Sequence, residues 1–132
     1  MKAKYALRAL MVMAKNEGKM LQTKTIARDA DVPQKFLEAI LLEMKNHGLV
    51  NSKRGIFGGY FLSKTAEEIH VGSVIRLIDG PLAPIRCASV TAYQKCDDCH
   101  DETTCAIRKT MVEVRNSISN VLDKKTLKEM MN

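Results

Sequence analysis

The hydrophobic residues of the first fifty positions recur at helical spacing in three successive segments. One apolar stripe runs through residues 5–14 and ends at the polar segment 16–19. A shorter segment follows, which Thr23 is expected to cap, and its predicted buried face comprises Ile26, Ala27 and Ala30. The third stripe has the spacing i, i+3, i+4 and i+7, and it consists of Leu37, Ile40, Leu41 and Met44. The pattern predicts three helices.

A sharp turn is predicted between the second and third of these helices. Asp31 lies at the turn, and Asp is one of the few residues besides Gly that tolerates a left-handed backbone. Pro33 suits the first turn of the next helix, which Gly48 then ends. Two short helices joined by a tight turn form the outline of a helix-turn-helix, although an ordinary solvated helix pair gives the same pattern.

The residues after Gly48 predict a β-hairpin. Segments 50–54 and 60–62 are candidate strands, and three glycines between them allow a tight turn: Gly55, Gly58 and Gly59. A β-hairpin directly after a helix-turn-helix is the wing of a winged-helix fold. The expected class is therefore mainly α with a small β-hairpin wing, which is here called the wing and spans residues 50–62.

The basic residues are concentrated in the first half of the chain. The net charge is +6 and the pI is about 9.2. Residues 1–60 hold eleven basic and five acidic side chains, whereas residues 61–132 hold ten of each. A solvated surface is one explanation, but an asymmetric positive charge also indicates a polyanionic partner such as nucleic acid.

Candidate DNA contacts follow from this outline. The N-terminal residues of the second helix of a helix-turn-helix meet base edges, where Gln can pair with adenine, Lys with guanine and Glu with cytosine. Basic residues of a wing can reach phosphates or enter the minor groove. The predicted contact residues are Lys24, Pro33, Gln34, Lys35, Glu38, Lys53, Arg54 and Tyr60.

A heptad seam follows in the last third of the chain. Its apolar residues alternate spacings of four and three, and they are Ile107, Met111, Val114, Ile118 and Val121. The seam predicts a long helix whose stripe either packs on its own domain or pairs with a partner. Because a winged helix of this size already has its own core, the long helix needs another place to bury that stripe. The predicted organisation is a DNA-binding unit (residues 1–80), a cysteine loop (81–105), and a dimerisation helix with a short C-terminal tail (106–132).

All four cysteines lie in the cysteine loop, with the spacing C-x8-C-x2-C-x5-C. The N-terminal apolar run is interrupted by charges and lacks a cleavage site, and no apolar run is long enough to cross a bilayer, so we expect a cytoplasmic protein. Clustered thiols in a reducing compartment indicate metal or redox chemistry. An iron–sulfur cluster, structural zinc and a Cys96–Cys99 thiol switch are the alternatives. Zinc ribbons normally present two C-x-x-C turns, and acidic neighbours disfavour a reactive thiolate.

Several blocks of the sequence resemble one known family over nearly the whole chain. They are KYALRAL, FLEAILLEMKNHGLVNSKRG, GGYFL and EIHVGSVIRLIDG, and they contain the specific pattern GLV-x-S-x-RG-x-x-GGY. This chain is similar to the Rrf-two superfamily of winged-helix regulators, which includes IscR, NsrR, RirA and CymR. The resemblance implies a homodimeric transcription regulator, and two-fold symmetry then predicts an imperfect DNA palindrome as the operator. We expect no enzyme, because the sequence contains neither a Ser/His/Asp spacing nor a phosphate-binding glycine loop. It also implies base or groove contacts from Gln34, Lys35, Glu38 and Arg54.

The resemblance also implies cluster ligands. Relatives that carry an iron–sulfur cluster use three cysteines, which match Cys87, Cys99 and Cys105. The fourth ligands known in relatives are missing, because Arg108 and Lys4 occupy those positions. Cys96 is the obvious substitute and His100 the weaker one, and the choice between a two-iron and a four-iron cluster stays open. The alternative is a cluster-free repressor, like CymR, that responds to a partner enzyme or a metabolite.

Overall fold

The structure, a computed structural model, describes residues 2–97 and 101–132. Two short 3-10 turns lie at Arg86–Ala88 and Glu102–Thr104. The regular elements of the described part are α1 Lys2–Lys15, α2 Thr23–Ala30, α3 Gln34–Asn46, β1 Val50–Lys53, β2 Gly59–Leu62, α4 Val71–Asp79, α5 Ala106–Leu122 and α6 Leu127–Met131. The mainly helical fold with one antiparallel hairpin confirms the predicted class.

One core joins the first four helices, the wing and the C-terminal helix. The third predicted stripe is confirmed, because each of its four residues is buried on the inner face of α3. On α2 the predicted face is buried at Ile26 and Ala30, whereas Ala27 is only partly buried. The largest fully buried side chains are Leu10, Ile26, Leu37, Leu41, Met44, Val50, Ile69, Val74 and Leu127.

The turn between α2 and α3 is left-handed at Asp31, as predicted. Its backbone has φ 55° and ψ 55°, and the next amide, Val32 N–H, donates to the Ala27 carbonyl at 3.0 Å. The helices α2 and α3 each begin one residue away from the predicted start. Thr23 is the first residue of α2, not its cap, and the capping position holds Gln22 without a side-chain hydrogen bond. Pro33 occupies the capping position of α3, where its ψ of 129° keeps it extended.

The wing packs against the linker between α1 and α2. Leu21 and Tyr60 exchange two backbone hydrogen bonds, of 3.0 and 2.7 Å, so the linker extends the hairpin by one bridge. Gly59 stands at the closest approach with φ +152°, and a Cβ atom there would lie 2.6 Å from the Leu21 carbonyl oxygen. The backbone of the wing therefore meets the linker only because residue 59 lacks a side chain.

We expect Gly59→Ala to destabilise the protein by at least about 2 kcal/mol, because the new methyl group collides with backbone and the residue has positive φ. Gly55→Ala is the matched control: its φ is also positive, +114°, but a Cβ atom there would meet no other atom within 4 Å. The control should lose only about 1 kcal/mol. Urea unfolding of both variants measures the difference, and equal losses would contradict the collision.

After the long helix α5, the chain packs again against the core that the first four helices form. The amide of Val71 donates to the Lys125 carbonyl at 2.9 Å, and the amide of Leu127 donates to the Ile69 carbonyl at 2.8 Å. Thr126 and Glu129 then cap α6 reciprocally. The predicted C-terminal tail contains this short helix, and its attachment to the core was not predicted. The division of the chain at residues 80 and 105 stays a prediction, to which the structure adds that Leu127 lies in the core of the DNA-binding unit.

Candidate functional site

The first turns of α3 present three predicted base-contacting side chains to solvent. Gln34, Lys35 and Glu38 are all exposed, and the Gln34 amide donates to the Glu38 carboxylate at 3.4 Å. They are directed outward because the opposite face of α3 is buried in the core. Leu42, one turn further along, is 55% exposed and extends this outer face with an apolar side chain.

The wing and the start of α2 form one shallow groove. Its volume is about 370 Å³, and its lining includes Gln22, Thr23, Lys53, Arg54 and Tyr60. Both wing cations are exposed, whereas the Tyr60 ring is half-buried and packs against the core. Lys24, in the first turn of α2, is exposed. The structure thus brings Lys53, Arg54 and Tyr60 together with the start of the helix that carries Lys24.

A side-chain contact also connects α3 with the wing. Lys45, near the end of α3, donates to the Ser52 hydroxyl of β1 at 2.7 Å. The turn before α3 is held as well, because the Arg8 guanidinium donates to the Asp31 carbonyl at 3.3 Å. Neither contact was predicted from the sequence. For Lys45 the available signal was its position seven residues after Glu38, which places both on one side of α3.

The cysteines lie in unlike environments. Cys87 is buried in the Arg86–Ala88 turn, Cys105 is half-buried at the start of α5, and Cys96 is exposed. Cys99 and His100, the other predicted ligands, lie outside the described residues. Within residues 2–97 and 101–132, no three side chains of the His, Cys, Asp and Glu types lie close enough to hold a metal ion.

Two arginines of α5 hold the turn that carries Cys87. Arg108 donates through Nε to the Cys87 carbonyl at 3.0 Å, and its backbone amide donates to the Cys105 sulfur at 3.4 Å. One heptad later, Arg115 donates to the Ala88 carbonyl at 2.6 Å. From the sequence, Arg108 was notable only because it occupies the position of a ligand found in some relatives. In the structure Arg108 connects the first and the last cysteine of the loop, Cys87 and Cys105.

The far end of α5 is joined to α4 by an ion pair. Arg76 donates two hydrogen bonds to Asp123, of 2.5 and 2.7 Å. These bonds lower the pKa of the Asp123 carboxyl and raise the pKa of Arg76. Gly72 leaves room for the contact, because a Cβ atom there would lie 2.1 Å from Asp123 Oδ1. The helix α5 is thus attached to the Cys87 turn through Arg108 and Arg115, and to α4 of the DNA-binding unit at its far end.

Between these attachments α5 has no buried residue. Three residues of the predicted heptad seam are exposed: Ile107 at 66%, Val114 at 40% and Val121 at 61%. The other two, Met111 and Ile118, are half-buried. This 17-residue helix therefore leaves much of its apolar stripe accessible to solvent, outside the core of its own chain. None of the described helices is both long and apolar enough to cross a membrane.

Comparison with known proteins agrees with this architecture. Residues 1–132 match the Rrf2 family, described as an iron-dependent transcriptional regulator. A Rhodobacter capsulatus protein named as an rrf2-like HTH-type transcriptional regulator is 43% identical over 134 residues, which cover 98% of this chain and 89% of that protein. Among solved structures, CymR, the global cysteine regulator of B. subtilis, has a TM-score of 0.79 at 30% identity, covering 99% of this chain and 93% of that one. T. potens IscR has a TM-score of 0.77 at 26% identity, covering 99% and 83%.

The helix pair α2–α3 followed by the β1–β2 hairpin defines a winged-helix transcription regulator, which is not an enzyme. The chain belongs to the Rrf2 family, as the motif between Gly48 and Tyr60 indicated.

Proposed function

We propose that this protein is a cytoplasmic, homodimeric regulator that binds double-stranded DNA through α3 and the wing. The observation that carries the proposal is the exposed polar surface on three neighbouring elements. The start of α3 supplies Gln34, Lys35 and Glu38 for base edges in the major groove. The wing supplies Lys53 and Arg54 for phosphates or the minor groove. Lys24, Pro33 and Tyr60 complete the proposed interface.

The dimer is proposed to form along the exposed stripe of α5. A two-fold axis through paired α5 helices relates two copies of α3, so the operator should be an imperfect palindrome whose half-sites lie about one helical turn apart. The exposure of Ile107, Val114 and Val121 supports this arrangement, because pairing removes their surface from water.

The cysteine loop is proposed to hold an iron–sulfur cluster with Cys87, Cys99 and Cys105 as ligands and Cys96 or His100 as the fourth. Two described features fit such a group. Arg108 Nε donates to the Cys87 carbonyl and the Arg108 backbone amide donates to the Cys105 sulfur, so Arg108 holds the Cys87 turn near Cys105 and gives a thiolate at Cys105 one hydrogen-bond donor. The family description also names iron. A cluster would supply a charge and a redox state that respond to oxidants, iron or nitric oxide.

The signal would act through the position of α5. Arg108 and Arg115 hold the Cys87 turn on α5, and Arg76 holds the other end of α5 on α4. Ligation of Cys87 and Cys105 together would fix α5 relative to the DNA-binding unit, and with it the spacing of the two α3 helices in the dimer. Loss of the ligated state would release that constraint and change the affinity for the operator.

The second candidate is a cluster-free repressor of the same family, controlled by thiol oxidation, structural zinc or a partner. The likeness to CymR, a global cysteine regulator, favours it. Iron and sulfide analysis of anaerobically purified protein separates the candidates. About two or four irons per chain, with matching sulfide, are expected for the cluster. Protein that contains neither would establish the cluster-free alternative.

DNA binding is tested by titration at several salt concentrations. A duplex selected from a randomised pool should bind with an affinity that falls steeply as salt rises, because bound counterions leave the DNA. Arg54→Ala should reduce the slope of log K against log salt by about one. Holo and apo proteins are then compared at fixed salt. Equal affinities for the same duplex would contradict the proposed switch, and no salt-dependent binding would contradict the function itself.

A further inference from the structure

The tip of the wing carries two large apolar side chains that contact almost nothing. Ile56 is 87% exposed and Phe57 is 92% exposed, more than any other large hydrophobic residue in the described part of the chain. A backbone hydrogen bond from Gly58 N–H to the Gly55 carbonyl, 3.0 Å long, closes the turn beneath them. The turn is therefore closed by backbone atoms, and the two side chains bury almost no surface within the protein.

The surroundings of the tip favour a polyanion over an apolar protein groove. Lys53 and Arg54 lie immediately before the tip and are exposed. Residues 50–64 contain three basic side chains and no acidic one. Because the same hairpin borders the groove at the start of α2, its tip extends from the proposed DNA-binding surface. Two apolar side chains at the tip, preceded in the chain by two cations, suit double-stranded DNA, because its phosphates are charged and its stacked bases are flat and apolar.

We propose that Ile56 and Phe57 enter the minor groove of DNA beside each half-site and that Phe57 wedges between two stacked base pairs. This inference rests on the proposed function. Apolar wedges of this kind, Phe and Ile among them, partly unstack a base step and kink the duplex. Lys53 and Arg54 hold the phosphates next to the wedge. Since pyrimidine–purine steps unstack most easily, the tip confers a preference for TA or CA/TG at the flank of each half-site.

The test compares the wild-type protein with an Ile56→Ser/Phe57→Ser variant on one duplex of about 30 base pairs, selected from a randomised pool by the wild type. The variant should bind about 10-fold more weakly. Its salt slope should stay unchanged, because no charge is removed. Energy transfer between dyes at the duplex ends should report a smaller bend. A 2-aminopurine base at the flanking step should brighten with the wild type and not with the variant.

The controls separate this inference from the function on which it rests. Val90→Ser removes another exposed apolar side chain, 78% exposed and in the cysteine loop, and should leave affinity and bend unchanged. Wild-type protein that binds no duplex in a salt-dependent manner would overturn the proposed function and the wedge together. Wild-type binding with unchanged affinity and bend in the variant would overturn the wedge alone. Phe57→Ser is the substitute if circular dichroism finds the double variant unfolded.

Discussion

Val114→Lys will convert the proposed dimer into a monomer at micromolar concentration. Val114 lies at the middle of the α5 stripe and is 40% exposed in the isolated chain, so pairing would bury it. Two ammonium groups, one from each copy, would then face an apolar seam without partners. The dimer dissociation constant should rise by at least about 100-fold. Sedimentation velocity measures the change, and operator binding should weaken with it because each half-site would be bound singly.

Asn120→Lys is the matched control for this prediction. Asn120 is exposed on the same helix, gains the same charge, and lies about 120° around the axis from Val114. It should leave the dimer intact. If Val114→Lys remained dimeric, or if both variants dissociated equally, the seam would not be the pairing surface. Both variants add the same positive charge to the same helix. A difference between their dissociation constants therefore reflects only the position of that charge.

The features that could be predicted from the sequence are those fixed by local chemistry. The stripe on α3 has helical spacing whatever it packs against, and its burial follows. Asp31 adopts the left-handed conformation because the turn requires it and few other residues tolerate it. The hairpin follows from Gly55, Gly58 and Gly59 between the two candidate strand segments, 50–54 and 60–62. Each of these patterns spans about ten residues or fewer, so it can be recognised in one sequence without knowledge of the tertiary contacts.

The features that could not be predicted depend on contacts between distant parts of the chain. The linker contacts the wing through backbone atoms of Leu21 and Tyr60. The pattern of side chains in the sequence cannot predict a contact between backbone atoms. Arg108 holds the Cys87 carbonyl 21 positions earlier, so its partner could not be read from its own neighbours. The same applies to the candidate site: its exposed residues were predictable one element at a time, whereas the groove between α2 and the wing required the fold.

The strongest stabilising contact of the C-terminal tail is the burial of Leu127. Its side chain is 0% exposed within the core of the DNA-binding unit, and its amide bonds to Ile69. Because α5 has no buried residue, this side chain and the Arg76–Asp123 pair determine where the far end of α5 lies. The ion pair is partly exposed and so contributes little, about 1 kcal/mol or less. Leu127 therefore carries most of the attachment.

Leu127→Ala should lower the free energy of unfolding by about 3 kcal/mol, the sum of lost transfer energy and the cavity left behind. The melting temperature should fall by about 10 °C. Lys128→Ala is the control, since its ion pair with Glu67, at 2.7 Å, is exposed on both sides, and its loss should leave the unfolding midpoint nearly unchanged. Urea unfolding compares the two. Equal stabilities would mean that the tail does not belong to the core, and α5 would then be attached by its arginines alone.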